Sequence, residues 1–148
     1  KQFENSENYE KFKQITKVKK IKVSEVEKGD IINIEKGLKI RILFPTDKII
    51  SENILNNNAM VARLEYKNFK MLFTGDIEIK AEQEILKIYK DTNYLEADIL
   101  KVAHHRSQKF INTRIFRQSK TKNSTYRSRN KQYIWTSKST NSRKNRKI

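Results

Sequence analysis

The chain has 148 residues, 33 Lys and Arg against 17 Asp and Glu, and a formal net charge of +16, enough polypeptide for one ordinary domain. It has no cysteine, which excludes disulfide scaffolds and Cys-ligated zinc or iron–sulfur centres. No apolar run reaches the roughly 18–20 residues of a membrane span, and no signal-peptide core is visible.

The charge is segregated. All 17 acids lie before Arg106, beside 19 bases (19 − 17 = +2); residues 106–148 hold the other 14 bases (33 − 19) and no acid. Gly29, Gly37, Gly75 and Pro45, the only glycines and proline, also precede Arg106. The expected division is therefore a folded part, 1–105, and a basic, low-order tail, 106–148, too charged and too poor in apolar residues to fold. A start at Lys1 rather than Met suits a piece of a longer protein, truncated at its N-terminus.

In chain order, Tyr9, Phe12 and Ile15 recur at helical spacing and predict a short amphipathic helix within residues 1–17. Residues 21–26 alternate as a strand would, Lys28-Gly29-Asp30 is a turn, and Ile31–Ile34 is a second strand. Lys36-Gly37 turns into a third strand, Leu38 to Phe44, which stops at Pro45. A polar loop over 45–58 ends in Asn56-Asn57-Asn58, whose residue type tolerates left-handed backbone. Met60–Tyr66 and Phe69–Phe73 read as strands around a Lys67-Asn68 turn. Ile77–Tyr89 reads as a helix, with Ile85, Ile88 and Tyr89 on one face, Glu78 and Glu82 near its N-terminus, and Lys80, Lys87 and Lys90 solvated. Ala97–Val102 is a compact apolar strand running into His104-His105. The pattern predicts a layered α/β domain.

Two places could carry chemistry. Asp76 follows the strand end Leu72-Phe73-Thr74-Gly75; a glycine there lets the backbone turn and aim a carboxylate into a site. The same aspartate could instead cap the following helix. His104 and His105, the only histidines, follow a strand that would mount an imidazole rigidly for zinc or a similar metal; the plainer alternative is a pair of loop histidines. If the strands of Asp76 and the His pair are parallel neighbours, both emerge at one sheet edge. Dinucleotide, P-loop and nucleophile-elbow motifs are absent.

Four stretches in order, Leu43-Phe44-Pro45, Asn56–Val61, Met71–Asp76 (MLFTGD) and Leu95–His105 (LEADILKVAHH), resemble the metallo-β-lactamase-fold domain of the ComEC family of competence proteins and its stand-alone relatives. The resemblance covers about residues 43–107. It implies the C-terminal half of an αββα sandwich with a dinuclear metal site, zinc or alternatively manganese, and a metal-dependent hydrolase acting on a phosphodiester, DNA in uptake being the expected partner. It implies Asp76 as a metal ligand, His104 or His105 as another, and Lys101 and Ser107 as candidates for the groups around the ligands. It further implies a bacterial, membrane-associated or extracytoplasmic setting, with a channel domain elsewhere in the parent. The family's HxHxDH-like cluster has no counterpart in this chain, Ala59 stands where serine is usual, and Arg106 stands where a glycine follows the His pair. A chain with so few ligands is expected to be inactive and to hold zinc incompletely.

The tail reads as out-of-frame translation. Back-translated with A/T-rich codons and read one nucleotide later, Gln108–Ile148 permits KNSSTQEFLDKVKPKIALIGVG, one ambiguous residue, then NNTYGHPNQQIVERIEK. This is the ending the resemblance calls for: a helix, Pro-Lys, an apolar strand, a GHP loop and a last helix. Trp135 has the single codon TGG, which with Thr136 forces the glycine of GHP. Lacking that segment, the Ile99–Val102 strand would keep an unpaired edge. The alternative function is a noncatalytic nucleic-acid-binding protein acting through 106–148, where 14 bases with Tyr126, Tyr133 and Trp135 could hold phosphates and stack on bases nonspecifically.

Overall fold

The computed structural model describes residues 6–103, 115, 123–128 and 131–136. Three helices, α1 (Glu7–Val18), α2 (Ile54–Asn57) and α3 (Ile79–Ile88), accompany seven strands: β1 (Ile31–Glu35), β2 (Leu38–Phe44), β3 (Val61–Tyr66), β4 (Phe69–Phe73), β5 (Ile99–Lys101), β6 (Asn123–Ser128) and β7 (Lys131–Thr136). The α/β class expected from the pattern is the one observed.

The strands form one mixed sheet in sequence order. β1 to β4 are an antiparallel meander, with two-residue turns joining β1 to β2 and β3 to β4 and the longer 45–60 connection, which carries α2, joining β2 to β3. β5 then lies parallel to β4, which requires a crossover, and α3 supplies it. β6 is parallel to β5, and β7 returns antiparallel.

α1 starts where Ser6 Oγ accepts from the Tyr9 amide at 3.1 Å and stops before Lys20, whose φ is +52°. It buries none of its residues, so its amphipathic stripe has no partner among the described residues. Residues 21–26, expected as a strand, form none. Alternation alone does not make a strand; the backbone groups need a paired neighbour, and β1 pairs only with β2 in this part of the sheet. The Lys28–Asp30 turn does form. Asp30 Oδ2 accepts from the Glu27 amide, while Gly29 N and Asp30 O bond to the Ile42 backbone, extending the ladder.

Side chains alternate between faces, so the registers sort them. One face carries the row Leu43, Val61, Leu72 and Leu100, against which α3 lays Ala81 and Ile85; with Phe44, Ile77, Tyr89, Leu95, Ala97 and Ile115 these make the buried core. Burying each large aliphatic side chain contributes about 1.5–3 kcal/mol. The Tyr89 hydroxyl donates to the Leu43 carbonyl at 3.0 Å, tying the end of α3 to β2. The opposite face is also apolar: Ile32, Ile40, Leu64, Met71 and Ile99 are consecutive register partners from β1 to β5. Leu38, Tyr66 and Phe69 form a second row. Ile32, Ile34, Tyr66 and Phe69 are exposed, Ile34 by 53%.

Within the basic tail the described residues are 115, 123–128 and 131–136. Ile115 is buried in the core, its amide donating to Glu82 Oε1 at 3.2 Å, and 123–128 with 131–136 form the β6–β7 pair. The expected open edge of β5 is correspondingly filled by β6. Tyr, Thr, Ile and Trp are good strand formers and are concentrated in these two stretches despite the surrounding charge.

Candidate functional site

The C-terminal end of β4 is shaped by three consecutive residues. Thr74 is buried and its hydroxyl donates to the Lys101 carbonyl at 2.8 Å, fastening β4 to β5 beyond their last ladder pair. Gly75 then turns with φ +55°, and a Cβ there would sit 2.8 Å from the Met60 carbonyl oxygen and 3.2 Å from Ala59 Cβ. Both the conformation and the close approach call for glycine. Asp76 follows, and its Oδ1 is buried with no hydrogen-bond partner. Among the described residues its ion-pair partner is Lys101, whose Nζ donates to the Gly75 carbonyl at 2.8 Å and lies 3.5 Å from Asp76 Oδ1. The side chain of Asp76 as a whole is half exposed, so one oxygen is withdrawn from water while the group remains reachable.

Asp76 is not the cap of α3. The helix begins at Ile79 after Glu78, and the N-terminal amide of Ala81 donates to Asn57 Oδ1 at 3.3 Å. Fully buried Asn57 also donates to the Glu52 carbonyl and to Glu78 Oε2, and Asn53 and Asn56 donate to Glu78 Oε1. The asparagine run is thus a bracket between α2 and α3. The left-handed residue there is Asn53, with φ +36°, rather than a member of 56–58.

The last register pair of β4 and β5 is Phe73 with Lys101. Three residues further on in each chain segment come Asp76 and His104, and because the strands are parallel, both segments leave at the same sheet edge. Val102 and Ala103 pack against the core on the way out. His104, His105 and Ser107 lie outside the described residues. Of the expected site residues the structure therefore brings together Asp76 and Lys101. Lys101 holds the Gly75–Asp76 turn through the Gly75 carbonyl. Among the described residues no group of three or more His, Cys, Asp or Glu could hold a metal. Asp76 with its unsatisfied oxygen suits a cation, but one carboxylate does not make a dinuclear centre, and the described residues alone do not fit two metal ions.

A second polar cluster lies on the α3 face at the other end of the strands. Glu65 Oε1 accepts from Arg63 Nη2 at 2.6 Å and from Arg41 Nε at 3.2 Å, and Lys39 Nζ is 3.1 Å from Oε2. Burial would raise the Glu65 carboxyl, but the hydrogen bonds from Arg63, Lys39 and Arg41 and the charge of Arg63 overcome it and hold the pKa at about 2. Arg63, itself 5% exposed, also donates to the Asn93 carbonyl at 2.8 Å. Both guanidiniums stand over the Tyr94 ring, at 5.1 and 5.2 Å from its centroid. Burial and neighbouring Tyr94 raise the Tyr89 hydroxyl above its ordinary value, with Arg41 opposing them. The sequence reading passed over this cluster; the signal was the register of Lys39, Arg41, Arg63 and Glu65 on one face of two adjacent strands.

The chain is 31% identical over 99 residues, 67% of its length, to ComE operon protein 3 of Bacillus subtilis (strain 168). It spans only 12% of that protein's length. No family model and no solved structure matches the chain. No described helix is long and apolar enough to cross a membrane.

Proposed function

We propose that the chain is a piece of a metal-dependent hydrolase of the ComEC-like metallo-β-lactamase class, a DNA-processing phosphodiesterase associated with competence and DNA uptake, and that by itself it is inactive. The observation that carries this reading is the edge built by parallel β4 and β5. There a glycine-aimed aspartate keeps one buried oxygen without a hydrogen bond, next to the segment that enters the histidine pair. A buried oxygen of this kind costs about 1–3 kcal/mol unless a partner arrives, and a divalent cation held jointly by Asp76 and His104 or His105 would satisfy it. Zinc suits such nitrogen and oxygen donors, and manganese is the second candidate.

Two further observations support the reading. The apolar face formed by Ile32, Ile40, Leu64, Met71 and Ile99, none of which is fully buried among the described residues, is of the kind a second sheet covers in a sandwich, where inner faces pack about 10 Å apart. The similarity to ComE operon protein 3 takes in only a small part of that longer protein, which accommodates a missing half-sandwich.

The flanking nucleotide sequence tests this. An upstream stretch coding for a histidine-rich HxHxDH-like cluster, and a downstream frame coding for GHP one nucleotide out of register, are expected. A shifted frame broken by stop codons between Gln108 and Ile148, with no histidine cluster upstream, would overturn the proposal.

A further inference from the structure

The cluster around Glu65 has more cationic capacity than its own carboxylates consume. Lys39, Arg41, Arg63 and Lys70 share one face, since Arg41 pairs in register with Arg63, and Lys39 and Lys70 both pair with Glu65. Facing these four bases are Glu65 and Asp98, and Asp98 Oδ2 already accepts the Lys70 amide at 2.8 Å. The patch therefore carries a net charge of 4 − 2 = +2. Arg63 is buried and each of its three nitrogens already donates, to Glu65 or to Asn93. Arg41 differs. Only its Nε is bonded, and its outer nitrogens have no hydrogen-bond partner among the described residues. Its ring partner Tyr94 and its bond to Glu65 hold the guanidinium plane in place, so its fork is pre-organised rather than free to rotate. Lys70 forms no ion pair among the described residues, and Lys39 is 40% exposed at the rim.

We propose that Arg41, Lys39 and Lys70 form a docking patch for the phosphates of a nucleic-acid strand, separate from the Asp76 edge and independent of the basic tail. A fixed guanidinium fork matches a phosphate's paired oxygens, while flanking lysines act as point charges. Lys39 and Arg41, two residues apart on β2, are about 6.6 Å apart along the strand, wide enough to engage adjacent phosphates. The Tyr94 ring is covered by the two guanidiniums, so the patch offers no surface for base stacking and its recognition is of the backbone, without sequence preference. An acidic peptide is the competing occupant, which the test below separates from a nucleic-acid strand. The patch needs no metal and stands whether or not the chain belongs to a hydrolase.

Lysine acetylation of the full chain, read by mass spectrometry, tests it without interference from the tail. A single-stranded oligonucleotide in metal-free, low-salt buffer should protect Lys39 and Lys70 severalfold relative to Lys87 on the exposed side of α3, and high salt should remove the protection. Polyglutamate should leave Lys39 and Lys70 unprotected, and Arg41→Gln should weaken the oligonucleotide's protection of Lys39. Protection confined to tail lysines such as Lys120 and Lys122, equal protection by polyglutamate, or undiminished protection in Arg41→Gln would each overturn the proposal.

Discussion

Replacing Glu65 by glutamine should be among the most damaging conservative changes in the domain. The wild-type carboxyl is held at about 2 against an ordinary 4.5, and a shift of one pKa unit is worth about 1.36 kcal/mol. The full depression would correspond to about 3 kcal/mol, but Lys39 at the rim is screened by water, and about 1–2 kcal/mol is the realistic contribution. Because the folded-state pKa is depressed, that stability is present above about pH 4.5 and is lost as pH falls towards about 2. In Glu65→Gln the same interaction is lost from the other side, the Arg63 guanidinium staying buried without its counter-charge; breaking a buried pair costs about 3–5 kcal/mol, and the lower end applies because the glutamine oxygen still accepts from Arg63. A net destabilisation of about 3 kcal/mol at pH 7 should lower the urea midpoint by about 2 M, for a slope within the ~1–3 kcal/mol/M usual for small domains. Between pH 5 and pH 3 the parent should weaken while Glu65→Gln should lose little further. A variant within about 0.3 M of the parent at pH 7, or one with the same acid sensitivity, would refute the reasoning.

Three further outcomes follow from the same geometry. Gly75→Ala must place a Cβ 2.8 Å from a backbone oxygen at φ +55°, and should cost about 2–4 kcal/mol in chemical denaturation. Asn57→Ala leaves the Ala81 amide and the Glu52 carbonyl without their bonds and should cost about 1–3 kcal/mol, read as a lower thermal midpoint. The chain as it stands should retain no tightly held zinc after dialysis, because Asp76 and one or two histidines fall short of a dinuclear ligand set; a stoichiometric equivalent per chain, lost in Asp76→Ala, would contradict this.

The parts of the fold that were legible are those in which local pattern and tertiary pairing agree. Strands β1 to β5 were bounded to within one or two residues, because Gly29, Gly37 and Lys67-Asn68 punctuate an alternation that the sheet then uses on both faces. Residues 21–26 alternate equally well and form no strand, since no neighbour pairs with them. Asp76 was legible from Thr74-Gly75, a spacing that serves a ligand or a cap equally. The start of α3 at Ile79 after Glu78, with the Ala81 amide bonded to Asn57, removes the cap reading. Lys101 was singled out beside the histidine pair, but its bond to the Gly75 carbonyl was not legible, because that reach depends on the parallel register of β4 and β5, which composition cannot specify. β6 and β7 were hidden by the charge of the residues around them.

The most direct test of the account is hydrolysis by the completed protein. The chain should be extended through the upstream coding region, restored by one nucleotide near Arg106–Gln108, and given glycine at position 106. It should then bind metal and cleave a nitrophenyl phosphodiester in a reaction that stops on chelation. Asp76→Ala should abolish turnover while leaving the fold intact, because the Asp76 side chain is about half exposed and is not a member of the hydrophobic core. A folded, metal-loaded protein inactive on phosphodiesters and DNA would contradict the proposed function, and an equally active Asp76→Ala variant would contradict the assignment of the site.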